Sequence, residues 1–266
     1  MRRRHHTIQI LIYSLIIAAA PLPGAVTMLV RDGHPIVDGV YVNGHGPYRF
    51  LVDTGSNVNL IDQKLAQLIG LTAAFQTELA TSAGATGASG NKEVDVSLDS
   101  AKAADQEFLF RGLETIRRRW PDIQGVLGQW FLSRFDYTLD LRGKQLTFGK
   151  QDRSGTHTPF RMINGRLSFS TSLGDLILDS AADRLVLFGV KPDTRPDGRN
   201  ELRTVAGSQQ IGMAFSKPLT IDGRRIWRGD AVVLPNRTEP GVDGLLPLSL
   251  FKAVYVCNSE GYVVFE

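Results

Sequence analysis

The sequence is nearly without cysteine. Cys257 is the only one in 266 residues, so no disulfide can form within the chain. It lies in the apolar run Ala253-Val254-Tyr255-Val256-Cys257 with no histidine near it, which reads as a packed core thiol rather than a nucleophile. Histidine is scarce too. Beyond His5 and His6 there are His34, His45 and His157, too scattered for a zinc-ligand spacing. No phosphate-binding glycine loop and no nucleophile elbow appears, so neither a cofactor nor a metal is expected. Excess charge of one sign is also missing. The net charge of +3 comes from Arg2, Arg3 and Arg4; without them 27 basic residues face 27 acidic ones. That balance speaks against nucleic acid as a partner. The run Arg117-Arg118-Arg119 reads as a solvated loop or strand end.

Long apolar runs are absent except at the start. A basic head is followed by the apolar residues 8–20 and then Pro21-Leu22-Pro23-Gly24-Ala25, the layout of a secretory signal peptide. The run is short for a membrane span. Residues 1–25 are read either as a leader cut after Ala25 or as an uncleaved anchor that tethers the chain to a membrane. Both readings place the mature chain outside the cytoplasm, periplasmic or secreted.

What remains is 42% hydrophobic and 21% charged over the whole chain, a globular composition with length for one large domain or two lobes. From Ile36 onward, short apolar runs alternate with Gly-rich turns. Ile36 to Val42 and Tyr48 to Val52 flank Asn43-Gly44-His45-Gly46-Pro47, which predicts a hairpin with His45 solvated at its tip. Residues 62–71 predict one short helix with Leu65, Leu68 and Ile69 on one face. The second arm of the hairpin runs into Asp53-Thr54-Gly55-Ser56, and apolar residues resume at Val58 and Leu60. A buried strand here delivers a carboxylate to a tight turn, with hydroxyls beside it. The plainer alternative is an ordinary strand-to-turn junction.

The order of features then repeats. Leu176-Ile177-Leu178-Asp179-Ser180 has the same apolar lead-in, an Asp and a hydroxyl residue. Gly125-Val126-Leu127-Gly128 finds its counterpart in Gly244-Leu245-Leu246-Pro247. Asp53 to Gly125 is 72 positions and Asp179 to Gly244 is 65. Residues 162–178 resemble the hairpin that enters Asp53, with Gly174 at a shorter turn. Two β-rich lobes are expected, 26–150 and 151–266, with a linker near residues 149–158.

The stretch Phe50-Leu51-Val52-Asp53-Thr54-Gly55-Ser56 resembles the catalytic loop of the aspartic peptidases, the pepsin-like and retropepsin-like group. The resemblance implies an all-β, two-lobed pepsin-like acid protease fold, a peptide or protein substrate, a monomer and no cofactor. It implies that Asp53 and Asp179 hold the attacking water between them and share one proton. Thr54 and Ser180 would bond across the two loops, Gly55 would allow the close turn, and Ser56 would bond the outer oxygen of Asp53. Residues 81–90, almost all small, would form a flap over the substrate or else a floppy loop. The Gly-apolar-apolar element would run beside each catalytic loop, leaving Asp122, Asp136 and Asp140 as loop and strand-edge acids. Three departures weaken the second loop on paper. Ala181 stands where Gly is expected, Ala182 has no hydroxyl for Asp179, and Pro247 replaces a Gly. Two alternatives therefore stay open: an inactive relative that binds peptides or proteins, and a homodimer using Asp53 from each chain.

Overall fold

The structure, a computed structural model, describes residues 24–81, 84–190, 201–204, 207–234 and 239–266, without the side chains of residues 81, 201–204 and 207–210. Almost all of the leader lies outside the described residues. So does the tip of the small-residue segment, at 82–83.

The first half carries strands β1 (Ala25–Arg31), β2 (His34–Val42), β3 (His45–Val52), β4 (Asn59–Asp62), β5 (Phe75–Thr81), β6 (Gly84–Leu98), β7 (Ala101–Arg111), β8 (Gly125–Leu127), β9 (Tyr137–Asp140) and β10 (Gln145–Phe148). Three short helices interrupt them: α1 (Gln63–Leu68), α2 (Glu114–Arg117) and α3 (Gln129–Leu132). The second half continues with β11 (Thr158–Pro159), β12 (Arg161–Ile163), β13 (Arg166–Thr171), β14 (Gly174–Asp179), β15 (Val186–Phe188), β16 (Glu201–Thr204), β17 (Gly207–Gln210) and β18 (Gly212–Phe215). It closes with β19 (Leu219–Ile221), β20 (Arg224–Trp227), β21 (Asp230–Leu234), β22 (Gly244–Pro247), a 3-10 turn (Leu248–Leu250), β23 (Ala253–Cys257) and β24 (Tyr262–Phe265). The fold is all-β.

Each half builds the same crossing. In the first, β3 runs parallel to β8 with Phe50 opposite Gly125, and β4 pairs antiparallel with the other edge of β8. In the second, β14 runs parallel to β22 with Leu176 opposite Gly244, and β15 takes the other edge. Both glycines are demanded by this packing. A Cβ on Gly125 would stand 2.3 Å from the Phe50 ring, and one on Gly244 2.0 Å from the Val186 carbonyl oxygen. The Gly-apolar-apolar signal is thus a steric requirement of three strands meeting at one point.

The closing hairpins of the two halves, β9–β10 and β23–β24, join through antiparallel β9–β23 pairing, with Val254 opposite Leu139. Strands of both halves therefore share one 13-stranded sheet, while β12, β13, β14, β22, β15, β21 and β18 form a separate seven-stranded sheet. One apolar core runs through both, from Phe50, Phe131 and Tyr137 to Phe169, Leu246 and Val254, all fully buried. A core shared this way ties the positions of the two halves to one another. Cys257 is fully buried beside β24, as expected of a core thiol.

Two local expectations need correction. The helix α1 forms, capped by Asp62, but its packed face runs through Leu65, Ala66 and Ile69, and Leu68 is 82% exposed. The arginine run is a solvated loop only in part: Arg118 and Arg119 lie exposed in the turn after α2, but Arg117 is helical. Arg117 ends α2 and pairs at 2.9 Å with buried Asp62, while Arg119 bonds Asp32 at 3.0 Å and Asp183 at 2.9 Å. The small-residue segment forms a β-hairpin, Thr81 opposite Gly84.

Candidate active site

Strand β3 ends one residue before Asp53, and β14 ends on Asp179. Because each strand is clamped by its parallel neighbour, both carboxylates are delivered from rigid backbone; the amide of Asp53 itself donates to Leu127 O at 2.9 Å. The two loops meet face to face. The loop backbone at Gly55 passes so close to Asp179 that a Cβ there would lie 2.4 Å from its Cγ. Gly55 is therefore required by close approach to the opposite carboxylate.

The loops are laced together by a reciprocal set of bonds. Thr54 N–H donates to Ser180 Oγ at 3.0 Å, and Ser180 N–H donates to Thr54 Oγ1 at 3.0 Å. Each hydroxyl then donates to the backbone beneath the opposite Asp: Thr54 Oγ1 to Leu178 O at 2.9 Å, Ser180 Oγ to Val52 O at 2.7 Å. Thr54 and Ser180 are buried, so these four bonds face no competition from water.

Each carboxylate is held by amides of its own loop. Asp53 Oδ1 accepts from Gly55 N–H at 2.9 Å and Ser56 N–H at 3.1 Å. Asp179 Oδ1 accepts from Ala181 N–H at 2.7 Å, and the Ala182 amide also favours its charged form. The side-chain bond expected from Ser56 is not made. Its hydroxyl donates to Val58 O at 2.9 Å, and only its backbone reaches Asp53. Ala182, at the matching position, therefore lacks nothing that Ser56 supplies to its Asp.

The other two departures resolve as well. Ala181 is not among the residues at positive φ, so its methyl group meets no left-handed backbone; it packs on a cluster that includes Trp120. Pro247 has no N–H to donate. In the first half the matching Gly128 N–H donates to Asn59 Oδ1 at 3.0 Å. The position matching Asn59 is Leu185, as the registers Leu60 to Val126 and Val186 to Leu245 show. Donor and acceptor have been exchanged together for an apolar pair, which leaves no buried group unpaired.

Burial, and then the charge of Asp179, pushes the Asp53 carboxyl far above the ordinary carboxylate range, to about 8, against the amides of Gly55 and Ser56 and the charge of Arg166. Burial also raises Asp179, against the amides of Ala181 and Ala182, His34 and Arg166. Two carboxyls this close do not both ionise cheaply, so they take up one proton as a unit.

Sequence reasoning missed four supporting residues. Asn59 fixes Gly128. Gln129, 1% exposed, donates to Thr54 O at 2.9 Å. Arg166, paired with Glu239, puts a positive charge near both aspartates. His34, seemingly idle in the sequence, lies under the second loop. Their one sequence signal is positional, since His34 and Arg166 each follow an Asx-Gly turn two strands before their Asp. Asp122, Asp136 and Asp140 lie elsewhere. Asp122 pairs with Arg31 at 2.8 Å, Asp136 accepts from Ser259 Oγ at 2.7 Å, and Asp140 accepts from Gly143 N–H at 2.6 Å. Among the described residues no group of three or more His, Cys, Asp or Glu side chains is placed to hold a metal ion.

Residues 39–131 match a family model described as an aspartyl protease. No curated protein matches the chain's sequence. Among solved structures, an aspartic proteinase from Irpex lacteus is 15% identical, with a TM-score of 0.54 over 91% of this chain and 97% of that one. A retropepsin-like aspartic protease from Rickettsia conorii is 21% identical, with a TM-score of 0.36 over 47% of this chain and 87% of that one. The match across nearly the whole length of the Irpex enzyme is one of fold: two lobes, pepsin-like. With an aspartyl-protease model matched at residues 39–131 and this fold around it, the chain is a relative of the aspartic peptidases.

Proposed function

We propose that the protein is an aspartic endopeptidase whose two carboxylates, Asp53 and Asp179, come from one chain. The supporting observation is the matched environment of the pair. Each Asp sits at the end of a clamped strand, each accepts amides of its own loop, and both have raised proton affinity. That is what sharing one proton requires.

In this reading the ionised member of the pair takes a proton from a water lying between them. The water oxygen bonds to the scissile carbonyl carbon while the protonated member gives its proton to the carbonyl oxygen. The tetrahedral diol then collapses: the C–N bond breaks, the leaving nitrogen takes the dyad's proton, and one diol hydroxyl gives its proton to the ionised carboxylate as the new carbonyl forms, so the pair again holds one proton. Activity is favoured on the acid side of neutral, where that single proton is retained. A carboxylate of the same chain already faces Asp53, which favours a monomer over a homodimer. With the leader read as an export signal, the substrate is a peptide or protein outside the cytoplasm.

The test is cleavage of a mixed peptide library from acid to neutral pH by wild type, Asp53→Asn and Asp179→Asn. Cleavage by wild type and by neither variant supports the reading. A folded wild type that cuts nothing supports a binding role instead.

A further inference from the structure

The internal repeat reaches past the catalytic loops. The turn Asp32-Gly33 has φ of 53° and 85°, and the turn Asn164-Gly165 has 47° and 75°. Each is followed by a basic residue, His34 or Arg166. Continuing the strand registers two residues beyond Ile36 with Leu51 and Ser168 with Ile177 sets His34 opposite Asp53 and Arg166 opposite Asp179. In the second half this position holds a permanent cation, whose charge acts on both aspartates.

His34 is 3% exposed and reaches across to the other half. Its Nε2 lies 2.9 Å from the carbonyl oxygen of Ala181 and 3.1 Å from Asp183 Oδ1. Its Nδ1 lies 3.0 Å from Asp32 O and 3.3 Å from Arg31 O. All four partners are acceptors. A neutral imidazole has one N–H, so one ring nitrogen would turn a lone pair towards a carbonyl oxygen. The imidazolium alone donates on both sides. Its surroundings suit that charge: Asp183 is the direct counter-ion, shared with Arg119, and Arg119 also pairs with the Asp32 side chain. Trp120 covers the ring with centroids 4.7 Å apart, and Asp179 senses its charge.

The Ala181 carbonyl belongs to the same peptide unit as the Ala182 N–H, one of the two amides that favour the Asp179 charge. A charged donor on the oxygen orients and polarises that unit, which strengthens the N–H at its other end. We infer that His34 is the positioning residue of the second catalytic loop, and that it holds the loop as an imidazolium through the Ala181 carbonyl and the Asp183 carboxylate. This deepens the peptidase reading and rests on it for its catalytic consequence. Without a donor at this position the 181–182 peptide is free to tilt, and Asp179 loses its productive alignment.

The first test needs no turnover. In nitrogen-15 imidazole spectra of the full chain, assigned with His34→Gln, His34 shows two protected N–H protons at mildly acid pH, one coupled through its hydrogen bond to the Ala181 carbonyl. A single ring N–H at every pH where the chain is folded overturns the inference, whether or not peptides are cut. The second test is kinetic. His34→Leu loses the donor and drops kcat by about ten- to a hundredfold, with KM within about twofold, as a misplacement near 1 Å does. His34→Gln keeps an N–H for Ala181, so it restores most of kcat. A His34→Leu kcat equal to wild type, or a His34→Gln kcat no better than that of His34→Leu, overturns the positioning role.

Discussion

Thr54 and Ser180 each donate a backbone N–H to the other's hydroxyl at 3.0 Å, 126 positions apart in sequence. The two contacts form one unit, because each hydroxyl passes its own proton to the carbonyl under the opposite aspartate. Thr54→Val keeps the shape and leaves Ser180 N–H and Leu178 O buried without partners. At about 1–3 kcal/mol for each stranded group, chemical denaturation should show a stability loss of several kcal/mol, while Thr54→Ser stays near wild type. An unchanged Thr54→Val midpoint would mean that the lacing contributes nothing to coupling the loops.

The raised carboxyls set a pH dependence of stability. A carboxyl that binds its proton more tightly folded than unfolded costs stability as pH rises from the ordinary carboxylate value near 4, and for Asp53 that window runs up to about 8. Wild-type Tm should therefore decline across this window, and Asp53→Asn should decline less and melt higher at neutral pH. Each kcal/mol recovered is worth about 2–4 °C in a chain of this size. Thermal melts of both proteins from pH 4 to 8 decide it; parallel curves would contradict the burial argument.

Ser56→Ala tests where that hydroxyl points. Its bond goes to Val58 O, and Asp53 is served by the Ser56 amide. The expected change in kcat and in the acid limb of the pH profile is small, about twofold or less, with a stability loss of about 1 kcal/mol. A large shift of the acid limb would put the hydroxyl back on Asp53.

Asn59 and Gly128 against Leu185 and Pro247 give a further prediction. Asn59→Leu strands the Gly128 N–H and should cost about 1–3 kcal/mol. Leu185→Asn buries an amide beside a proline that cannot donate to it, and should be destabilising alone. Pro247→Gly should recover part of that loss in a double-mutant cycle. Additive effects would show that the two positions do not exchange partners as a pair.

Much of this was legible in the sequence because a catalytic loop is local. Apolar residues before Asp53 and Asp179, and the glycines at 125 and 244, respond to contacts with strands whose spacing repeats along the chain. The misreadings mostly concern which partner a side chain takes in space. Ser56 is a hydroxyl beside an aspartate in one dimension, but its strand turn aims it at Val58 O. Ala182 and Pro247 look like losses until the Ser56 amide and Leu185 are seen beside them in space. His34 gave only the positional sign of its Asp32-Gly33 turn, since its partner Ala181 is 147 positions away. Arg119 is exposed as its sequence suggests, but its acids, Asp32 and Asp183, could not be read from it because they come from different halves.

The measurement that bears most directly on the account is peptide-library cleavage by the full chain between acid and neutral pH, with Asp53→Asn and Asp179→Asn run alongside. The account predicts that wild type cuts best on the acid side of neutral and that each variant loses at least about a thousandfold in kcat/KM, since neither carboxylate can do both proton transfers. Cleavage that survives Asp179→Asn at the wild-type rate would contradict it, because Asp53 would then have its partner elsewhere.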